Sequence, residues 1–415
     1  MNFMQRVLRR IRRSLNGIQE YLFFKFSPKK DDHIFFYPHP NGRVDGYDII
    51  NYYSDNVLCL INYIVEHKAY SHLFLYIIVF DRNKIEQYKN YLSEINPNQK
   101  VCFIDETNKQ KVIRLAAKSK FLFTDTGHTY FRYKTNKQQL ICLNYCVPFK
   151  NDFVNNRKLR EERARINNIF DYFLMTAPLP ARVAACDKGI SLSKFLMLGF
   201  CRNDVFYQRP SNKVKNYISK EVGLPVSKYV VYTPTYRDYE ASAGEITRDI
   251  FGYDGSEYAE LERVLEEHNA VIIAKLHPKQ INIKATNMET SRIVMYRDLG
   301  DNPFSLYQYL AEADGLITDY TSTYIDFLHR NKPVIFNFYD FDLYTETRGF
   351  GFEPIKTFCA GEIVENAMAF VGSVSRVFKN DDVYSEQRSK IAPVFDSYYD
   401  GNNTKRICEY FFDKE

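Results

Sequence analysis

Apolar residues along the chain fall into short runs separated by stretches of helical spacing. His33–Tyr37, Leu73–Phe80, Lys100–Ile104, Phe121–Thr124 and Gln139–Leu143 have the length and composition of buried strands. Helical spacing occupies Tyr47–His67 (after a loop), Ile85–Ile95 and Lys109–Ser119 between them. Arg157–Phe170 reads as a charged helix and Phe173–Thr176 as a further strand. The alternation then restarts. Strands are predicted at Tyr229–Thr233, Ala270–Leu276, Arg292–Tyr296, Gly315–Thr318 and Pro333–Phe338, and helices at Tyr258–His268, Ser305–Ala313 and Thr321–His329. Strands alternating with helices imply a parallel sheet covered on both faces. Two successive units of this kind imply twin Rossmann-like domains in an α/β chain. There is no solenoid repeat and no low-complexity segment.

A length of 415 residues suits two cores better than one. With 45% hydrophobic and 26% charged residues, the chain reads as globular. The net charge of +5 is unevenly placed: residues 1–30 hold eight basic side chains against one acid, so the remaining 385 residues sum to −2. The folded part therefore lacks the basic stripe of a nucleic-acid binder, and no nucleic acid is expected as a partner. The eight cysteines form no C-x-x-C pair, and no histidine cluster beside Cys142 and Cys146 completes a metal set. Reduced thiols in a cytosolic protein are the simple reading.

The basic N-terminus has its own pattern. Met4, Val7, Leu8, Ile11, Leu15, Ile18 and Leu22 recur at steps of three and four, while Arg6, Arg9, Arg10 and Arg13 fall largely on the rest of the surface. Tyr21–Phe26 adds an aromatic end. No run approaches the roughly 20 apolar residues of a membrane span. A basic amphipathic helix of this kind lies in the headgroup layer of an anionic membrane. The alternative is a helix packed on the protein's own surface with its arginines solvated.

Candidate chemistry gathers where predicted strands end. Leu316-Ile317-Thr318-Asp319-Tyr320-Thr321-Ser322-Thr323 runs from an apolar strand through hydroxyls and a carboxylate into a helix. The N–H groups of a first helical turn favour an anion, and Thr321 and Ser322 offer hydroxyl donors. Read alone, the same residues are helix caps. His277-Pro278 ends the strand one unit earlier, where an imidazole can bind a phosphate oxygen or move a proton near neutral pH. Tyr236-Arg237-Asp238 also follows a strand and a proline. Arg237 either binds phosphate or pairs with Asp238.

Taken in order, several blocks resemble the CDP-glycerol glycerophosphotransferases, the family of teichoic-acid and capsule glycerol- and ribitol-phosphate transferases. They are Leu198-Gly199-Phe200-Cys201-Arg202-Asn203-Asp204, Tyr232–Asp238, Lys275-Leu276-His277-Pro278 and Leu316–Ser322. Asp326-Phe327, Lys332–Phe336, Tyr339-Asp340, Arg348-Gly349-Phe350 and the tail Phe395–Asn403 follow, with a weaker match at Tyr53–Asn56. The resemblance covers roughly residues 45–410.

It implies a GT-B fold: two Rossmann-like domains facing a cleft, preceded by the basic amphipathic helix. The implied division is an arm at 1–30, an acceptor-side domain at 31–205, a CDP-donor-binding domain at 206–392, and a C-terminal helix at 393–415 that crosses back. The implied reaction is attack of an acceptor hydroxyl on the β-phosphate of CDP-glycerol or CDP-ribitol, releasing CMP. The acceptor would be polyprenyl-linked or polymeric, and the enzyme would sit peripherally on the cytoplasmic face of the membrane. By matched position, His277 serves the diphosphate or the proton transfer, and Arg237 neutralises phosphate charge. Thr318, Thr321 and Ser322 hold the diphosphate, with Asp319 beside them; Asp319 and Asp326 also have a structural reading. No metal or other cofactor is required in this scheme.

One departure stands out. The family's Trp-His-Gly block, followed by Pro and Lys, corresponds to the stretch Leu143-Asn144-Tyr145-Cys146-Val147-Pro148-Phe149-Lys150, in which Pro148 and Lys150 fit and Tyr145 occupies the histidine position. A tyrosine of pKa near 10 is a poor base at neutral pH. His277 acting alone, His128 as replacement, or an inactive nucleotide- or membrane-binding homologue are the three readings left open. A GT-B glycosyltransferase using a nucleotide sugar is the further alternative.

Overall fold

The computed structural model describes residues 16–38, 55–125, 131–143, 147–151, 157–237, 249–276, 291–299 and 302–413. Two parallel sheets organise them. The first contains β1 (Lys30–Tyr37), β2 (Phe74–Val79), β3 (Lys100–Asp105), β4 (Ser119–Thr124), β5 (Gln139–Cys142), β6 (Tyr172–Met175) and β7 (Phe195–Met197), in the order β3-β2-β1-β4-β5-β6-β7. The second contains β8 (Lys228–Thr233), β9 (Ala270–Ala274), β10 (Ile293–Met295), β11 (Gly315–Thr318), β12 (Val334–Asn337) and β13 (Glu362–Val364), in the order β10-β9-β8-β11-β12-β13. All the pairings within both sheets are parallel.

The central strands are apolar throughout because helices cover both faces. Ile34, Phe35 and Phe36 of β1, and Val230 and Val231 of β8, are fully buried. Each sheet is wound in both directions from its centre. The strand order reverses between β1 and β4 in the first sheet and between β8 and β11 in the second. Open sheets of this type bind ligands at the carboxyl ends of the strands beside such a reversal. The two crevices are therefore fixed by topology before any side chain is considered.

Among the described residues, several contacts join the halves. Backbone at 147–151 pairs with 349–351: Asn151 donates to the Gly349 carbonyl, Gly351 to the Phe149 carbonyl, and Lys150 bridges Phe350 antiparallel. Gly351 is required there, since a Cβ would lie 1.9 Å from the Pro148 carbonyl oxygen. Arg202, in the 3-10 segment Cys201–Tyr207, donates to Asp326 of the second unit at 2.8 Å. The chain end then returns: the helix Asn403–Phe412 starts on Asp204, whose carboxylate accepts from Asn403 and Thr404 N–H groups, and Phe411 packs on Phe121 and Phe123 of β4.

At the N-terminal side, a helix covers 16–26. It presents two unlike faces. Phe24 is fully buried and Glu20 pairs with Arg132, whereas Ile18 is 56% and Phe26 70% exposed, with Tyr21 and Leu22 between them. The first part of the amphipathic pattern, Met4 to Leu15, lies outside the described residues. Among the described residues no helix is long and apolar enough to cross a membrane.

Candidate active site

The end of β8 and the end of β11 stand side by side at the reversal of the second sheet, with Thr318 opposite Thr233. Each strand delivers a polar segment to the same place, 233–237 from one and 318–323 from the other. Thr318 is fully buried, and its Oγ1 donates to the Thr233 carbonyl at 3.2 Å. It ties the strand ends together from inside.

Asp319 carries the next layer. Its carboxylate accepts from Thr235 N–H at 2.9 Å, Thr235 Oγ1 at 2.7 Å, Tyr320 N–H at 2.5 Å and Arg237 Nη1 at 2.7 Å. Arg237 is only 2% exposed. Its other donors are used as well: Nε and Nη2 bind the two oxygens of Asp340 at 2.7 and 3.0 Å, and Nη1 also donates to the Thr235 carbonyl at 2.7 Å. The rings of Tyr320, Tyr339 and Tyr344 lie 5.0–5.3 Å from the guanidinium carbon. Burial works against the charge of Arg237, but Asp319 and Asp340 outweigh it and hold its pKa above the ordinary value. A buried arginine is tolerable only with this pairing.

The sequence offered two roles for Arg237, phosphate or Asp238. Among the described residues the guanidinium pairs with Asp319 and Asp340, which lie 82 and 103 residues away in sequence. One cation between two carboxylates leaves this cluster with no surplus positive charge. It sets the shape of the loops around it. Asp340 follows β12, and only the Tyr339-Asp340 block marked it in advance.

The hydroxyls nearer the surface are those that follow. Thr321, Ser322 and Thr323 are each partly exposed. Thr321 Oγ1 and Thr323 Oγ1 are 3.2 Å apart. Ser322 occupies the cap position of the helix Thr323–Phe327 in a helical backbone conformation, and its side chain makes no capping hydrogen bond. One turn further on, Asp326 is buried and accepts from Arg202 and, at 2.5 Å, from the Tyr307 hydroxyl. Asp326 thus serves structure, one of the readings open to it.

His277, His128 and Tyr145 lie outside the described residues, as does Asp238. The described chain reaches Leu276 beyond β9, and Asp125 beyond β4. Among the described residues no group of three or more His, Cys, Asp or Glu side chains is arranged to hold a metal ion.

The family sequence model described as CDP-Glycerol:Poly(glycerophosphate) glycerophosphotransferase matches residues 47–413. The chain belongs to this family. It is a transferase of the kind that uses CDP-activated alditol phosphates. A Staphylococcus aureus teichoic acid glycerol-phosphate transferase is 25% identical over 374 residues, covering 87% of this chain and 90% of that protein. A Bacillus subtilis teichoic acid glycerol-phosphate primase is 23% identical over 342 residues, covering 78% and 82%. The S. aureus ribitol-phosphate polymerase TarK matches over 231 residues at 28%, covering 54% of this chain and 42% of that protein.

Among solved structures, a histidine-to-alanine variant of the wall teichoic acid polymerase TagF superposes with a TM-score of 0.74 at 18% identity, covering 99% of this chain and 97% of that one. A UDP-N-acetylglucosamine 2-epimerase from Listeria monocytogenes follows the same architecture more loosely, with a TM-score of 0.54 at 12% identity over 92% of this chain and 97% of that one. These likenesses establish the GT-B type of fold, with two parallel sheets, as the sequence implied.

Proposed function

We propose that the protein transfers glycerol phosphate or ribitol phosphate from a CDP-alditol to a hydroxyl of a polyprenyl-linked or polymeric cell-surface acceptor. The observation that carries this reading is a coincidence of place. The family's donor-side blocks converge on the strand reversal of the second sheet, where an open sheet binds its ligand.

The second sheet then takes the CDP moiety, and the first takes the acceptor. Thr321 and Ser322, with N–H groups of the turn between them, donate to the diphosphate. Arg237, Asp319 and Asp340 act one layer below, holding the 233–237 and 318–323 segments in register so that the donors need no reorganisation. The acceptor oxygen forms a bond to the β-phosphorus, and the bond from that phosphorus to the bridging oxygen breaks. CMP leaves with that oxygen, and the hydroxyl proton passes to a base. His277 is assigned to the diphosphate or to this proton transfer, and His128 to the acceptor side, where Tyr145 replaces the family histidine.

Residues 1–26 attach the enzyme to the cytoplasmic face of an anionic membrane. Ile18, Tyr21, Leu22 and Phe26 form an outward apolar strip, flanked by Lys25 and by the Arg132 that pairs with Glu20. An enzyme docked this way meets a lipid-linked acceptor at the surface where it resides.

The test is CMP release from CDP-glycerol and CDP-ribitol, each with a lipid-linked or polymeric acceptor present, by the wild type and by His277→Ala, His128→Ala and Tyr145→Ala. Removal of a general acid or base costs about 10²–10⁴-fold in rate. Losses of that size in His277→Ala and His128→Ala, with Tyr145→Ala near wild type, fit the proposal. No CMP from the wild type with either donor would make the protein a binding homologue.

A further inference from the structure

The segment Cys201–Tyr207 leads from the first sheet to the second, and three successive side chains in it reach three different places. Arg202 Nη2 donates to Asp326, in the helix that follows the diphosphate turn, at 2.8 Å. Asn203 Nδ2 lies 3.2 Å from His329 Nε2 and donates to Asp396 of the returning tail at 3.4 Å. Asp204 accepts the N–H groups of Asn403 and Thr404 at the start of the last helix. Arg202 and Asn203 are both buried. The guanidinium carbon of Arg202 lies 4.7 Å from the Phe200 ring and 5.0 Å from the Tyr307 ring, and the Tyr307 hydroxyl donates to the same Asp326 oxygen.

The backbone of Arg202 faces the other way. Its N–H donates to Asn56 Oδ1 at 3.1 Å, and Asn56 Nδ2 donates in turn to the Leu143 carbonyl at 3.1 Å. Asn56 lies in the first turn of the helix Asp55–Glu66 and is fully buried, so water cannot replace either partner. An amide suits this place because it carries an acceptor and a donor on one rigid plane. Leu143 follows β5 at the carboxyl end of the first sheet, where its N–H donates to the Thr124 carbonyl at 2.8 Å. It directly precedes Asn144-Tyr145, where the family's histidine position falls. At the other end, Asp326 stands one helical turn from Ser322. Hydrogen bonds thus run without a break from the acceptor side, through Asn56 and Arg202, to the helix at the donor junction.

We propose that Asn56 and Arg202 are positioning residues for the transfer step. They fix the segment that begins at Leu143 relative to the diphosphate turn at Thr321 and Ser322, and so set the approach of the acceptor hydroxyl to the β-phosphorus. Their contacts are made inside the protein, with no part of donor or acceptor. Removing either residue leaves the hydroxyl donors of the turn in place, so donor binding persists while the two sides of the reaction lose register. A misplacement of about 1 Å between reacting groups costs about 10²-fold in rate. This inference rests on the transferase reading above.

The experiment measures kcat for transfer to a lipid-linked acceptor, and CDP-glycerol affinity by calorimetry, in full-length wild type, Asn56→Ala, Arg202→Met and the double variant. Both are read at a temperature where thermal unfolding shows each protein folded. Asn56→Ser and Arg202→Lys take their place if either variant fails to fold. Each single variant is expected to lose about tenfold to 10²-fold in kcat with CDP-glycerol affinity near wild type. The double variant is expected to be no slower than the slower single, because both residues act through one network. Arg202→Lys, which keeps a cation for Asp326, should recover part of the loss. The proposal is overturned if folded single variants turn over at the wild-type rate, if CDP-glycerol affinity falls as far as kcat, or if the two losses multiply in the double variant. Unaffected variants beside an active wild type remove only this inference. A wild type that transfers from neither CDP-glycerol nor CDP-ribitol removes the transferase reading.

Discussion

Asp319 Oδ2 and Arg237 Nη1 meet at 2.7 Å with both side chains almost wholly out of water, each projecting from the loop beyond a different strand of the second sheet. With Asp340 on the other edge of the guanidinium, the pair welds three loops at the donor crevice. Breaking one partner of such a pair leaves a buried charge and costs about 3–5 kcal/mol. Arg237→Ala and Asp319→Ala are each expected to lower stability by that order, measured by chemical denaturation. Arg237→Lys keeps the charge but loses the two-pronged contact with Asp340, and is expected to lose much of it as well. Wild-type stability in Arg237→Ala would show that the network contributes nothing.

Thr321 and Ser322 are predicted to behave differently. Both are partly exposed, so Thr321→Ala and Ser322→Ala should leave the unfolding midpoint near wild type. Each removes a hydroxyl donor to a charged phosphate, worth about 1.5–3 kcal/mol. Affinity for CDP-glycerol by calorimetry should fall by about tenfold or more in each. Unchanged affinity in both would remove these hydroxyls from the donor site.

Stability should also depend on one buried acid. Glu257 is buried beside Asp249, and burial followed by the hydrogen bond with Asp249 pushes its carboxyl up from 4.5 to about 8. Below pH 4.5 the group is protonated in the folded and unfolded chains alike, and its contribution is fully present. As pH rises from there the unfolded chain ionises first, so the contribution declines and is gone above about 8. Glu257→Gln mimics the protonated form. Its melting temperature relative to wild type is expected to rise across that window, and a constant difference would contradict the assignment.

The bridge between the halves gives a steric prediction. In Gly351→Ala the new Cβ would lie 1.9 Å from the Pro148 carbonyl oxygen, so backbone must move and the pairing of 147–151 with 349–351 is lost. Overpacking of this sort costs about 1–3 kcal/mol. Thermal unfolding should show that loss, and limited proteolysis should cut faster between the halves.

For the membrane strip, Ile18→Glu with Phe26→Glu replaces two outward apolar side chains without touching the buried Phe24. Co-sedimentation with vesicles containing anionic lipid should drop sharply, with the melting temperature unchanged. Equal sedimentation of variant and wild type would place membrane attachment elsewhere.

Much of the fold was legible in the chain. Ile85–Ile95 and Gly315–Thr318 occur with the limits expected from spacing, and β2, β3, β4, β8 and β12 within two residues of theirs. Parallel strands buried on both faces are continuous apolar runs, and such runs are hard to misread. Less visible elements had physical reasons to be so. The helix Pro178–Lys188 has a weakly one-sided apolar pattern, and β7 and β13 have only three residues each. The strand order of either sheet depends on contacts distant in sequence.

The site was legible in part for a similar reason. The end of β11 announces itself because hydroxyls and a carboxylate follow an apolar strand directly. What Arg237 binds does not, since its partners Asp319 and Asp340 are brought near only by the pairing of β8, β11 and β12. Local spacing offered only neighbouring carboxylates such as the adjacent Asp238.

The central claim is the donor, and the most direct measurement is the mass of the product. Wild-type protein would be incubated with a lipid-linked saccharide acceptor and, separately, CDP-glycerol, CDP-ribitol, UDP- and GDP-sugars and CMP-sialic acid. The account predicts an acceptor heavier by one or more glycerol-phosphate or ribitol-phosphate units, with CMP released in equal amount. An acceptor heavier by a sugar from any nucleotide sugar, with both CDP-alditols left intact, would contradict it.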